Sequence, residues 1–93
     1  MTPRNITAGK PDGNQAEIVS ALRELGATVL IISGVGHNAP DLVVGYRGRN
    51  FLMEVKQPGE DLRPGQQDWH DQWAGRVCVV RSPEDAIMEI GRR

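Results

Sequence analysis

The stretch from Pro40 to Lys56, PDLVVGYRGRNFLMEVK, constrains the fold more than any other part of the chain. It predicts two strands joined by a tight turn at Gly48-Arg49, with Arg47 paired to Asn50. Side chains alternate between the two faces of a sheet, so one face of this hairpin is suited to a core. That face carries Leu42, Val44, Tyr46, Phe51, Met53 and Val55.

The other face of the hairpin collects charge at one end. The predicted register places Asp41 opposite Lys56 and Val43 opposite Glu54. Burying two carboxylates and an amine is costly unless they are paired or bind an ion. One explanation is a Mg²⁺ or Mn²⁺ site, to which the backbone carbonyl of Val55 adds a ligand. The other is a surface ion pair of Lys56 with Asp41 or Glu54.

The same residues carry a family resemblance. Pro40-Asp41, followed across a hairpin by Glu54-Val55-Lys56, resembles the signature of the PD-(D/E)xK nuclease superfamily. The chain is most similar to the small stand-alone VRR-NUC domains of phages and bacteria, which resemble archaeal Holliday junction resolvases. This resemblance implies an α/β fold, a single αβββαβα restriction-endonuclease-like domain with a small mixed sheet flanked by helices. It also implies a Mg²⁺- or Mn²⁺-dependent DNA endonuclease, with branched or junction DNA as a candidate substrate.

The resemblance assigns roles to particular residues. It implies a catalytic set of Asp41, Glu54, Lys56, Gln66 and Glu17, and a metal held by Asp41, Glu54, Glu17 and the Val55 carbonyl. Glu17 matches a glutamate of the first helix, although an exposed glutamate in a first helical turn also simply favours the helix dipole. Gln66, in the segment LRPGQ, matches a glutamine that orders the site. Arg63 replaces the hydroxyl residue that usually caps this helix.

Five side chains are candidates for contacts with DNA phosphates. Arg47 and Arg49 flank the hairpin turn, Arg63 precedes the second helix, His37 lies in the loop GVGHN, and Lys10 lies near the N-terminus. The alternative is that they are ordinary solvated surface residues. The net charge of −1 is unlike that of strongly basic nucleic-acid coats. It favours an alternative function, a non-catalytic module on the same fold that binds nucleic acid or a protein partner.

The flanking sequence supplies the remaining elements. Helices are predicted from Asp12 to Leu25, from Pro64 to about Ala74, and from a Ser82-Pro83 start. Apolar residues predict a strand from Ala27 to Ser33, expected to be central in the sheet, and another from Arg76 to Arg81. The expected apolar stripe of the first helix is Ile18, Leu22 and Leu25, with Val19 and Ala21 beside it. The expected inner face of the last helix is Ala86, Ile87 and Ile90.

The length of 93 residues predicts one domain over residues 12–93, preceded by a flexible arm over residues 1–11. A core this small favours a homodimer, and Trp69 and Trp73 are expected in the core or the dimer interface rather than stacked on bases. The single cysteine, Cys78, is expected as a small buried hydrophobe. With no membrane span and no signal-type segment, we expect a cytoplasmic protein. The resemblance implies that the cell is bacterial or phage-infected.

Overall fold

The computed structural model describes residues 13–92. The predicted arm, Lys10 and Asp12 lie outside the described residues. The elements are α1 (Gln15–Glu24), β1 (Thr28–Ile31), a 3₁₀ turn (Ser33–Val35), β2 (Leu42–Tyr46), β3 (Arg49–Val55), α2 (Pro64–Gln72), β4 (Val77–Val80) and α3 (Pro83–Ile90). This is the order predicted from the sequence.

The four strands form a mixed sheet in the order β1-β2-β3-β4. The β1–β2 and β2–β3 pairs are antiparallel, whereas β3 and β4 are parallel and are connected through α2. The predicted central position of β1 is wrong, because β1 is an edge strand and Leu30 is 61% exposed. An apolar run does not by itself distinguish a central strand from an edge. The guanidinium of Arg23 donates to the Val29 carbonyl at 3.2 Å, which protects part of that edge.

The hairpin register differs from the predicted one. Tyr46 pairs with Arg49, so the turn is Arg47-Gly48 rather than Gly48-Arg49. Both turn residues have positive φ, 51° and 77°, as a type I′ turn requires. Val43 consequently pairs with Leu52 instead of Glu54, and Asp41 does not lie opposite Lys56. The error is an even number of residues, so every side chain remains on its predicted face.

The core lies between one face of the sheet and the helices α1 and α3. The predicted hairpin face is confirmed, with only Tyr46 half-buried. Leu25 and Ile87 were expected in the buried helical stripes, but they are 45% and 37% exposed. The predicted start of α3 is confirmed, because the Ser82 hydroxyl accepts a hydrogen bond from the Asp85 N–H at 3.1 Å. The buried residues are Ile18, Val19, Leu22, Ala27, Val29, Leu42, Val44, Phe51, Met53, Val55, Val80, Ala86 and Ile90.

The opposite face of the sheet is only partly covered. One cross-strand row runs over all four strands, and none of its members is fully buried: Leu30, Val43, Leu52 and Val77. The rings of Trp69 and Trp73 stack on each other, with centroids 4.7 Å apart. Neither belongs to the buried core, and Trp73 is 44% exposed, so the core alternative for this pair is wrong.

Cys78 is partly buried and packs against the core. Its thiol donates to the Leu52 carbonyl at 3.5 Å, and burial raises its pKa to about 12. A thiol with this pKa stays protonated, in agreement with the expected packing role. Within residues 13–92, no helix has the length and apolarity needed to cross a bilayer.

Candidate functional site

The charged end of the hairpin is fixed by backbone groups at the ends of two strands. The Asp41 N–H donates to the Met53 carbonyl at 3.1 Å, just before β2 begins. The Val55 N–H lies beyond the last β2–β3 pair and donates to the Asp41 carboxylate at 2.8 Å. These two hydrogen bonds hold Asp41 at the same end of the hairpin as Glu54 and orient its Oδ2 atom.

Glu54 is buried, with 3% of its surface exposed. Its Oε2 accepts a hydrogen bond from Gln66 at 3.1 Å, and the Lys56 ammonium lies 3.8 Å from the same oxygen. Its Oε1 is buried and has no hydrogen-bond partner among the described residues. Burial and then the negative charge of Asp41 raise the pKa of Glu54 to about 7. Such a carboxyl group is stabilised by either a proton or a cation.

Gln66 is fixed at both ends of its amide. Its Oε1 accepts the Arg63 N–H at 3.0 Å, which satisfies one orphan donor at the start of α2. Its Nε2 then points at Glu54. The side chain of Arg63 makes no cap, as its type predicts. Gly65 follows Pro64, and a Cβ there would lie only 2.7 Å from the Asn38 amide, so the loop before β2 packs closely on α2.

Lys56 follows β3 and is also buried, with 4% of its surface exposed. Its backbone is held on both sides, because its N–H donates to the Val80 carbonyl and its carbonyl accepts from Asn14 at 2.9 Å. The Asn14 amide also donates to the Arg81 carbonyl at 3.1 Å and accepts from Gln57 at 3.0 Å. Asn14 stands at the start of α1, but its side chain makes no capping hydrogen bond. It connects α1, β3 and β4 instead.

A cavity of about 150 Å³ opens at this end of the sheet. It brings together six of the predicted site residues: Asp41, Glu54, Val55, Lys56, Arg63 and Gln66. It also includes three that the sequence analysis did not assign to the site: Asn14, Gln57 and Glu60. The ammonium of Lys56 lies 3.7 Å from the Glu60 carboxylate. The Lys56–Glu54 ion pair exists, but it is buried rather than at the surface.

Four of the predicted residues lie away from the cavity. Glu17 and His37 are exposed and do not line it. Arg47 and Arg49 lie at the other end of β3, a strand of seven residues, and so about 20 Å away. There the Arg49 guanidinium donates to the Arg92 carbonyl, and each arginine lies over a neighbouring aromatic ring. The structure therefore does not bring these two arginines to the acids.

The donor set suits a hard cation that keeps some of its water. Within residues 13–92, no group of three or more histidine, cysteine, aspartate or glutamate side chains could hold a metal. Asp41 and Glu54 supply two carboxylates, which is a usual protein contribution to Mg²⁺. The partnerless Oε1 of Glu54 fits a cation ligand, because a buried carboxylate oxygen otherwise lacks compensation.

No protein-family model and no curated protein matches the chain. A solved structure described as a VRR_NUC domain does match, with a TM-score of 0.71 and 28% sequence identity. The match covers 88% of this chain and 96% of that one. The chain is a VRR-NUC-like domain. Both the family resemblance and the fold class inferred from the sequence are confirmed. In this VRR-NUC-like domain, the acids and the lysine of the motif line one cavity.

Proposed function

We propose that this VRR-NUC-like domain is a metal-dependent DNA endonuclease that hydrolyses phosphodiester bonds. The observation that carries the proposal is Glu54, a buried carboxylate with one partnerless oxygen within the described range, placed beside Asp41 and Lys56 in an open cavity. The ion pair with Lys56 is made by Oε2, so it does not account for the buried Oε1. The similarity to a structure named for a nuclease domain supports the same class of activity.

Asp41, Glu54 and the backbone carbonyl of Val55 would hold Mg²⁺ or Mn²⁺. When bound, the ion lowers the pKa of a water molecule and offsets charge on the phosphate. The Val55 N–H keeps the Asp41 carboxylate oriented, and Gln66 does the same for Glu54. Glu17, which is exposed outside the cavity, could contribute only through intervening water.

Lys56 would act on the phosphate rather than on the metal. Its ion pairs with Glu54 and Glu60, at 3.8 and 3.7 Å, are longer than a direct N–H···O bond of about 3 Å. The ammonium can therefore still donate to a phosphate oxygen or to the attacking water. A fixed positive charge beside the phosphate stabilises the negative charge that develops on it.

The proposed DNA contacts divide into near and distant ones. Arg63 is exposed at the rim of the cavity and would bind a phosphate next to the scissile one. His37 lies in the loop that leads to Asp41 and would contact the DNA backbone from that side of the cavity. Arg47 and Arg49 would serve only DNA that extends about 20 Å from the scissile bond. Lys10 remains a prediction outside the described residues.

The deciding experiment is incubation with labelled duplex, flap, fork and four-way-junction DNA, with Mg²⁺, Mn²⁺, Ca²⁺ or excess chelator. Cleavage should require Mg²⁺ or Mn²⁺, and Ca²⁺ should support little turnover because its looser geometry positions water poorly. Equal cutting in excess chelator would exclude the metal mechanism. Binding of junction DNA without cleavage under every condition would instead establish the non-catalytic module. The proposed setting is the cytoplasm of a bacterial or phage-infected cell.

We also propose that the domain works as a homodimer, as its small core and exposed Trp73 suggest. The partly covered row of Leu30, Val43, Leu52 and Val77 is the surface that a second copy would bury. Leu30→Glu should shift the molar mass measured by light scattering towards that of the monomer. Leu30 is 61% exposed in the single chain, so a charge there is tolerated by the monomer but not when a second copy buries it. Met88→Glu is the matched control, since Met88 is 65% exposed on α3. A wild-type monomer at micromolar concentration would exclude the dimer.

A further inference from the structure

The chain reverses immediately after Lys56. The Glu60 N–H donates to the Gln57 carbonyl at 3.0 Å, which closes a turn over Gln57, Pro58, Gly59 and Glu60. Pro58 stands at the second position and Gly59, with φ of 82°, at the third, the pattern of a type II turn. This turn carries the side chain of Glu60 back to the ammonium group of Lys56.

Glu60 is held in that place by three further contacts. Its Oε1 accepts the Gln57 N–H at 2.8 Å, and its Oε2 lies 3.7 Å from the Lys56 ammonium. Its backbone carbonyl accepts from the Arg81 guanidinium at 2.8 Å, which fixes the turn to the end of β4. The hydrogen bond from Gln57 holds the pKa of Glu60 below its usual value, so the carboxylate is ionised at neutral pH.

We propose that Glu60 is the positioning residue for Lys56. The inference rests on the proposed function. Lys56 lies between two carboxylates, and one of them, Glu54, is the proposed metal ligand. When Glu54 binds a cation, its attraction for the ammonium weakens, and Glu60 is then the remaining carboxylate of residues 13–92 that forms an ion pair with Lys56. Because Glu60 does not approach within a direct hydrogen bond, it restrains the ammonium without occupying the protons that the phosphate needs.

Activity assays test the proposal through matched variants. Glu60→Gln should lower kcat on the order of tenfold, because a more flexible Lys56 spends less time in the productive position. KM for DNA and the affinity for Mn²⁺ should stay unchanged. Asp61→Asn makes the same change of charge one residue away, at an exposed residue outside the cavity, and should retain wild-type kcat. Gly59→Ala should reproduce the loss without altering the carboxylate, because alanine is strained at φ of 82°.

A second readout needs no activity. The chain contains two lysines, Lys10 and Lys56, so lysine-specific carbon-13 labelling gives two side-chain Cε signals. Relaxation of the Lys56 signal should show increased nanosecond motion in Glu60→Gln, and a larger increase with Mg²⁺ present, while Lys10 stays unchanged. Unchanged Lys56 relaxation, or a kcat equal to that of Asp61→Asn, would overturn the proposal. Loss of Mn²⁺ affinity in Glu60→Gln would also overturn the proposal, because it would indicate that Glu60 is a metal ligand. If the wild type fails to cleave DNA, the proposed function fails, but the relaxation measurement still tests the contact.

Discussion

Glu54→Gln in metal-free protein gives the sharpest test of the site. Glu54 is 3% exposed and lies beside Asp41, and its pKa is raised from 4.5 to about 7. Between these pH values the folded chain binds a proton that the unfolded chain releases. The free energy of unfolding therefore falls as the pH rises through this window. A rise of this size corresponds to roughly 3 kcal/mol of lost stability above pH 7.

The glutamine variant has no proton to lose at this position. Its amide oxygen can still accept from Gln66, and its NH₂ group would stand where Oε1 now lacks a partner. Relative to wild type, Glu54→Gln should therefore gain roughly 3 kcal/mol between pH 4.5 and about pH 8, most of it by pH 7. For a domain of this size that corresponds to more than about 10 °C in Tm.

The measurement is urea unfolding of both proteins in chelator across this pH range. Taking the difference between the proteins removes the contribution of ionisable groups that do not interact with Glu54. Glu24→Gln makes the same substitution at an exposed residue of α1, and its difference from wild type should stay flat. Saturating Mg²⁺ at about pH 8 should stabilise the wild type, by about 2.7 kcal/mol at a hundredfold excess over Kd, and should have little effect on the variant. A wild-type-to-variant difference that does not change with pH would refute the assignment of Glu54 as a destabilised carboxylate.

Five further substitutions, at four residues, test the rest of the site and the hairpin turn. Lys56→Met should abolish cleavage and leave calorimetric Mn²⁺ binding nearly intact, since Lys56 is not a ligand. Asp41→Asn should weaken Mn²⁺ binding and cleavage together, and cleavage at the wild-type rate would show that Asp41 is not a ligand. Arg63→Ala should weaken DNA binding in Ca²⁺, measured by anisotropy, whereas Arg47→Ala should have an effect only on DNA that extends far from the site. Arg47→Asn should stabilise the protein by about 0.5–1 kcal/mol in thermal melts, because Asn-Gly suits a type I′ turn.

The hairpin faces were predictable because they depend only on alternation, which a register error of an even number of residues preserves. The turn itself was misplaced by one residue. A type I′ turn needs positive φ at both central positions, and a single glycine can be assigned to either of them. In the structure Gly48 takes the second position and Arg47 accepts φ of 51° at the first. The position of the turn determines which residues of the two strands pair, so the error in the turn changed every predicted pair.

The contacts of Asn14 and Glu60 differ in how far the sequence could have revealed them. Asn14 binds the carbonyls of Lys56 and Arg81, which are 42 and 67 residues away. No local pattern encodes a contact at that separation. Glu60, in contrast, follows Pro58-Gly59, and a type II turn at that dipeptide would have returned it towards Lys56. That information is local, within the four residues from Gln57 to Glu60.

Both proposed carboxylate ligands are oriented, one directly and one through Gln66, by backbone donors that the regular elements leave unpaired. The Val55 N–H extends past the last pair of β2 and β3, and the Asp41 carboxylate accepts it. The Arg63 N–H is an orphan donor at the start of α2, and accepting it turns the amide nitrogen of Gln66 towards Glu54. Neither contact involves the core between the sheet and the helices α1 and α3. Truncating a core side chain such as Val44 should therefore reduce stability while leaving the orientation of both carboxylates intact, whereas moving the end of β2 or the start of α2 should disturb the site directly.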